Sequence, residues 1–251
     1  MPLIETRLAD LEYKRYFEPF LGGGAFFFYF GAKPAFLSDL NEDLVNTYEQ
    51  VRDHPDGIVR ELKKLNVDAS TFATVRERVP STPLGRAVRF LFLNRTAFSG
   101  IYRVNRRGQY NVPFGGGDRT AEPLWRDGIL SDASRALKGV TLGACDFGGV
   151  LKSAKQGDLV YCDPTYTVTH NDNGFRKYNE SCFSWTDQVH LAKACQAAAG
   201  RGATVVVSNA YHREIESLYH GFQTFVVERK SLLSADATAR KSTREYVFIS
   251  R

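Results

Sequence analysis

An apolar tetrapeptide that runs straight into an acid and a proline limits this chain more than any other stretch. Leu159-Val160-Tyr161-Cys162 follows Gly157-Asp158 and leads into Asp163-Pro164-Thr165-Tyr166. A short run with no polar alternation is the pattern of a strand buried on both faces, and so of a largely parallel sheet covered by helices. Pro164 has no N–H to continue the ladder, so the strand is expected to stop there. In open α/β sheets, ligands bind at the carboxyl ends of the strands. Asp163 is then expected at the rim of a pocket, with the Pro164 carbonyl beside it and Tyr166 offering a flat face. Taken alone, the stretch reads first as a strand-end turn with an exposed acid. The rest of the chain has to decide.

A length of 251 residues suits one domain with an insertion, or one large and one small domain, with ample core. At 43% hydrophobic and 24% charged, the composition is globular, with no low-complexity tract. No apolar run approaches the ~20 residues of a membrane span, and the amino terminus carries no signal-peptide pattern. Cys145, Cys162, Cys182 and Cys195 form no C-x-x-C pair, so no metal site is expected. They read as reduced, structural thiols of a cytoplasmic protein. A net charge of +5 and a pI near 9.0 are compatible with a polyanionic partner.

Along the chain, Tyr16 to Phe30 reads as a strand, a glycine turn and the start of a buried helix. Phe20-Leu21-Gly22-Gly23-Gly24 fits F-x-G-x-G, where glycine allows a tight turn and close approach of backbone to a ligand. Phe27 takes the place of the third glycine of the dinucleotide fingerprint, which disfavours a pyrophosphate cofactor but not a nucleoside-type ligand. Ala35 to Asn41 is a second short strand ending in an acid. Asp39 lies about twenty residues past the turn, where α/β nucleotide sites place a carboxylate for ribose hydroxyls. It can equally cap the helix expected over Glu42 to His54. Asp56 to Asn94 reads as packed helices broken at Pro80 and Pro83.

From Asn94 to Phe114 arginines, amides and aromatics interleave, with Arg95, Arg103, Arg106, Arg107 and Arg119 concentrating positive charge. Such groups can pair base edges, grip phosphate and stack on bases, so nucleic acid is the expected partner. Gly108 suits a hairpin turn and Gly115 to Asp118 a mobile loop. Gly139 to Leu142 begins a third strand, followed by Asp146-Phe147, which can bind an adenine amino group or cap a helix. After the opening motif, Thr167 to Cys182 reads as a flap. Thr186 to Arg201 is a helix and Ala203 to Ser208 a buried strand ending in Ser208-Asn209. Phe222 to Arg229 and Glu245 to Ile249 form a closing antiparallel pair, with the basic stretch Arg240 to Arg244 between them.

F-x-G-x-G, a strand-end acid, a basic insert, D-P-T-Y and S-N in this order resemble the Dam-type DNA adenine-N6 methyltransferases of the D12 class, which use S-adenosylmethionine. The likeness runs from about Tyr16 to the carboxyl terminus. It includes Leu93-Asn94-Arg95, Gly100, Arg103, Asn105 and Arg107-Gly108 through Asn111-Val112-Pro113-Phe114-Gly115.

The resemblance implies a Rossmann-like α/β methyltransferase domain over 1–55 and 135–251, with a helical and hairpin target-recognition domain inserted at 56–134. It implies cofactor contacts from Phe20, Gly22, Gly24, Asp39, Asp146, Phe147 and Asp163. It further implies catalysis by Asp163, Pro164 and Tyr166, and duplex DNA contacts from Arg95, Phe98, Ser99, Ile101, Arg103, Asn105, Arg107 and Pro113.

Three departures stand out. The family's early Gly-Gly-Lys does not occur, so either the natural start lies upstream or cofactor binding is weakened or lost. D-P-T-Y replaces the usual D-P-P-Y. Phe98, Ser99 and Ile101 stand where the best-known members carry Tyr, Asn and Leu.

An exocyclic adenine amine is a poor nucleophile, and two acceptors such as Asp163 and the Pro164 carbonyl can free its lone pair. The expected reaction is methyl transfer to N6 of an adenine flipped out of the duplex, with Phe175 or Phe183 covering the base. A cognate restriction enzyme is a further expected partner. Cytosine-N4 or RNA adenine methylation, or a DNA-binding relative without catalysis, remain alternatives. A nicotinamide-dependent oxidoreductase is disfavoured by the absent third glycine and the basic insert.

Overall fold

The run Leu159–Cys162 forms a strand, β4, in which every residue is buried. In a computed structural model describing residues 6, 8, 11–105, 107–117, 120–165, 183–230 and 242–250, the other strands are β1 (Tyr16–Glu18), β2 (Ala35–Asp39), β3 (Thr141–Ala144), β5 (Thr204–Ala210), β6 (Gln223–Lys230) and β7 (Ser242–Ile249). They make one seven-stranded sheet in the order β3-β2-β1-β4-β5-β7-β6. β1 is parallel to β2 on one side and to β4 on the other, with Tyr16 opposite both Ala35 and Leu159. β4 is parallel to β5, while β7 runs antiparallel to both β5 and β6. The chain leaves β1 toward β2 and β3, then returns to β1's other side as β4. That reversal is the topological switch point, where α/β sheets bind ligands at their carboxyl edge.

Two compact units result, 1–40 with 143–251, and 41–142. In the first, α1 (Ala25–Phe30) begins and ends on left-handed glycines, Gly24 and Gly31. α8 (Phe147–Ser153), α9 (Trp185–Gly200) and α10 (Arg213–Leu218) complete it. Phe147, Leu151, Leu191 and Cys195 pack with Phe17, Val160, Cys162 and Val207 in one core.

The second unit holds α2 (Glu42–Asp53), α3 (Pro55–Leu62), α4 (Ala69–Glu77), α5 (Pro83–Thr96), α6 (Pro123–Arg126) and α7 (Ile129–Leu137). Its edges lie outside the 56–134 segment marked in the sequence because α2 belongs with these helices. The Asn46 amide donates to Pro83 O at 3.0 Å, and Ser134 Oγ donates to Arg52 O at 2.8 Å. α2 is capped by Asn41, whose Oδ1 accepts from the N–H groups of Asp43 and Leu44. Asp39 therefore does not serve as that cap. Pro83 opens α5 rather than merely breaking a helix, with Thr82 as its cap.

Ser242 to Arg244 were expected between the closing strands but belong to β7, because Glu228 to Lys230 extend the ladder to meet them. Tyr166, the segment Thr167 to Cys182 with Phe175, and Arg106, Arg119, Arg240 and Lys241 lie outside the described residues.

The amino ends of the two central strands are tied by a charge pair. Arg15 Nε and Nη2 reach the two Asp158 oxygens at 3.0 and 2.5 Å, and Lys155 N donates to the same carboxylate at 2.8 Å. Asp158 is 2% exposed, whereas Arg15 keeps 44% of its side chain in solvent. Removing the acid therefore strands a cation that water can still reach. Asp158→Ala is expected to cost about 2 kcal/mol, below the 3–5 typical of a fully buried pair. An unfolding midpoint in urea equal to that of wild type would discount the clamp.

Candidate active site

The glycine turn and the acid of β4 emerge at the carboxyl ends of neighbouring strands. Two bonds strap the turn to β2, from Leu21 N to Ser38 O at 2.9 Å and from Gly22 N to Asp39 Oδ2 at 3.1 Å. Gly24 N closes the turn on Leu21 O at 2.7 Å. Gly22 and Gly24 have φ of 46° and 64°, the left-handed region that a side chain strains. A Cβ built at Gly22 or Gly23 would meet no atom within 4 Å, so the space beside the turn is open. Asp39 thus lies against the turn.

At the end of β3, Asp146 Oδ1 accepts from Gly148 N at 2.7 Å, making it the cap of α8. Phe147 is 8% exposed and stacks on Phe20 with centroids 5.4 Å apart. Phe183 closes edge-on against Phe20 at 5.5 Å. Its ring is committed to this cluster and to the core.

Glu18, the last residue of β1, was missed in the sequence. It is 2% exposed in a fully buried strand, and the Tyr16 hydroxyl donates to its Oε2 at 2.5 Å. Strand parity places Tyr16 and Glu18 on one face, where Tyr16 and Tyr161 both stack on Phe26 of α1. Burial pushes the Glu18 carboxyl up to about 8. The nearby negative charge of Asp163 adds to the rise, and the Tyr16 bond opposes it. The available signal was an acid inside Tyr-Phe-Glu-Pro-Phe, a run otherwise apolar up to the glycine turn. Asp163 is partly exposed, Pro164 buried and Thr165 exposed. Burial also holds the neighbouring Cys162 thiol neutral.

The inserted unit presents its own group of candidates. Tyr110, 6% exposed, pins a hairpin by donating to Ile101 O at 2.9 Å, and Val104 bridges Tyr110 across it. Asn105 holds the turn, its Oδ1 accepting from Arg107 N and Gln109 N at 2.9 and 3.0 Å. Its amide donates to Gln109 Oε1 at 3.0 Å, so these groups serve the turn itself. Arg103 Nε donates to Asn111 Oδ1 at 2.8 Å.

Phe98 N donates to Pro113 O at 3.0 Å, which brings those two candidates together and leaves the Phe98 ring 56% exposed. Ser99 sits at φ 54°, a left-handed conformation that suits asparagine better than serine. Ile101 is half-buried, while Arg95 and Arg107 are exposed. Arg95 Nε reaches Thr120 O at 3.3 Å.

At the carboxyl ends of adjacent parallel strands stand Asp39 against the open turn, buried Glu18, and Asp163 at the switch point. Such a set suits a cationic, nucleoside-bearing ligand. The family model of the D12 class N6 adenine-specific DNA methyltransferases matches residues 1–232, and the chain belongs to that family. It is a DNA adenine methyltransferase whose methyl donor is S-adenosylmethionine.

The chain is 30% identical over 258 residues to the Type II methyltransferase M1.LlaDCHI of Lactococcus lactis subsp. cremoris, covering 98% of this chain and 89% of that one. To the Type II methyltransferase M.MjaIII of Methanocaldococcus jannaschii it is 32% identical, covering 95% and 88%. To the DNA adenine methylase of Escherichia coli K12 it is 29% identical, covering 91% and 83%.

The raised Glu18 carboxyl has a consequence for stability. Its neutral form favours the folded state, so its contribution is complete below the ordinary carboxylate range and is lost as pH rises through about 8. Glu18→Gln removes that dependence. The variant should gain in thermal midpoint relative to wild type between about pH 5 and pH 9; parallel curves would show that Glu18 is ionised when folded.

Proposed function

We propose that Asp163 and the Pro164 carbonyl accept the two N6 hydrogens of an adenine flipped out of duplex DNA. The observation that carries this reading is their position at the carboxyl end of β4, beside the glycine turn of β1 where the strand order reverses. Accepting both hydrogens turns the nitrogen lone pair out of conjugation and favours the positive charge that develops there as the N–C bond forms. S-adenosylmethionine supplies the methyl group as a sulfonium. Asp163 is the acceptor on which the surplus N6 proton then leaves. Pro164 is buried at the strand end and Thr165 is exposed. Tyr166 would stack on the base.

In the same reading, Phe20, Gly22 and Gly24 hold the methionine part of the donor, Asp39 the ribose, and Asp146 and Phe147 the adenine. The fit is supported by the open space at Gly22 and Gly23 and by the carboxyl groups around it.

The 41–142 unit supplies target recognition. Exposed Phe98, with Ser99, Ile101 and Pro113, probes the base stack. Arg103 reads a guanine, Arg95 and Arg107 hold phosphates, and Asn105 keeps the hairpin turn in shape. The enzyme would act in the cytoplasm of a bacterium or a phage-infected cell. The Type II names of two relatives support a cognate restriction enzyme as partner.

Asp163→Ala should lower methyl transfer by at least about 100-fold, the scale of losing a preorganised acceptor. Binding of the same duplex should change by less than about 2-fold, because phosphate contacts dominate affinity. Transfer of labelled methyl groups to mixed-sequence duplex DNA, with equilibrium binding on the same pool, measures both. Near-normal turnover in the variant removes Asp163 from the chemistry.

A further inference from the structure

The Asn111 side chain lies opposite Arg103 across the recognition hairpin. Its Oδ1 accepts from Arg103 Nε at 2.8 Å, its backbone oxygen accepts from Arg103 Nη2 at 3.4 Å, and its N–H donates to Arg103 O at 3.1 Å. The guanidinium is thereby gripped along its Nε–Nη2 edge. The other fork, Nη1–H with the second Nη2–H, has no partner among the described residues. That fork matches the paired acceptors O6 and N7 on the major-groove edge of guanine.

The grip is itself held. Tyr110 is anchored through Ile101 O, and Asn105 N donates to Gln109 O at 2.8 Å. Asn105 Oδ1 fixes the turn between them. A free arginine loses much rotamer freedom when it docks on a base, and one already held in place loses less.

We infer that Asn111 is a specificity-determining positioning residue, which holds Arg103 so that its free fork reads a guanine in the target. The inference rests on the reading of Arg103 as a base contact. It separates Asn111 from a phosphate contact, which would add affinity for every sequence alike. Asn111 is exposed, so replacing it opens no core void.

The test uses the full chain with S-adenosylmethionine and mixed-sequence duplex DNA, followed by mapping of N6-methyladenine. The readout is the guanine preference at the most discriminated flanking position. Arg103→Ala should lose about 10–100-fold of that preference, the scale of one bidentate base contact. Asn111→Ala should lose roughly 3–10-fold, the part that comes from preorganisation. Asn111→Asp, which keeps the acceptor, should retain the preference even though its charge weakens binding to DNA overall.

A preference lost in Arg103→Ala but intact in Asn111→Ala overturns the inference alone. So does a uniform loss of methylation in Asn111→Ala with the preference unchanged, or equal loss of preference in Asn111→Asp. A guanine preference absent from wild type, or unmoved by Arg103→Ala, removes Arg103 as the reader and this inference with it.

Discussion

The parallel pairing of β1 with β4 is the constraint on which the unit that holds the sheet depends. Two parallel neighbours end at the same edge of the sheet, so whatever follows each strand is delivered to one place. From β1 come Glu18 and the glycine turn; from β4 come Asp163 and Pro164. Because both strands are buried throughout, their backbone groups have no water to turn to and register is tightly held. A slip of one residue would send Tyr16, Glu18 and Tyr161 to the opposite face, out of the stack with Phe26. The amino ends are fixed as well, by the Arg15–Asp158 pair and by backbone bonds from Leu159 N to Arg15 O and from Thr204 N to Asp158 O.

That convergence creates an electrostatic problem, and the structure meets it differently at each carboxyl group. Asp39 takes an N–H from the glycine turn. Glu18 cannot reach solvent and is held toward its neutral form, with the Tyr16 hydroxyl as partner. Asp163 stays partly exposed, and its charge is one of the reasons Glu18 resists ionising. Full ionisation of Glu18 beside Asp163 is thereby disfavoured. A cation placed beside Glu18 would lower the cost of ionising it.

Much of this was legible in the sequence because the signals are local. An unalternating apolar run marked β4, proline marked its end, and clustered glycines marked the turn. What escaped required tertiary information. Glu18 looked like any charged residue before a proline, and only the folded strand shows it buried. The edges of the inserted unit moved outward because α2 packs on α5 and α7, a choice that no composition shift records. Ser242 to Arg244 read as part of a basic connection, yet they join the ladder once Glu228 to Lys230 lie alongside. For Asp146, likewise, only geometry shows one oxygen committed to the cap of α8.

The hairpin of the inserted unit carries the opposite lesson about dense polar sequence. Its many amides suggested many groups free to read bases, but several of them hold the hairpin itself. Asn94 donates to Gly100 O at 3.0 Å, Asn105 and Gln109 hold the turn, and Asn111 holds Arg103. Ser99 adds a left-handed residue without the side-chain preference for it, a local cost of about 1 kcal/mol. The surrounding bonds must offset that cost to keep Phe98 turned outward. Affinity and discrimination then have separate sources. Exposed, loosely held arginines such as Arg107 suit screened, sequence-blind attraction to phosphate. Discrimination needs a donor pair fixed before DNA arrives, and a hairpin this heavily bonded to itself can provide one.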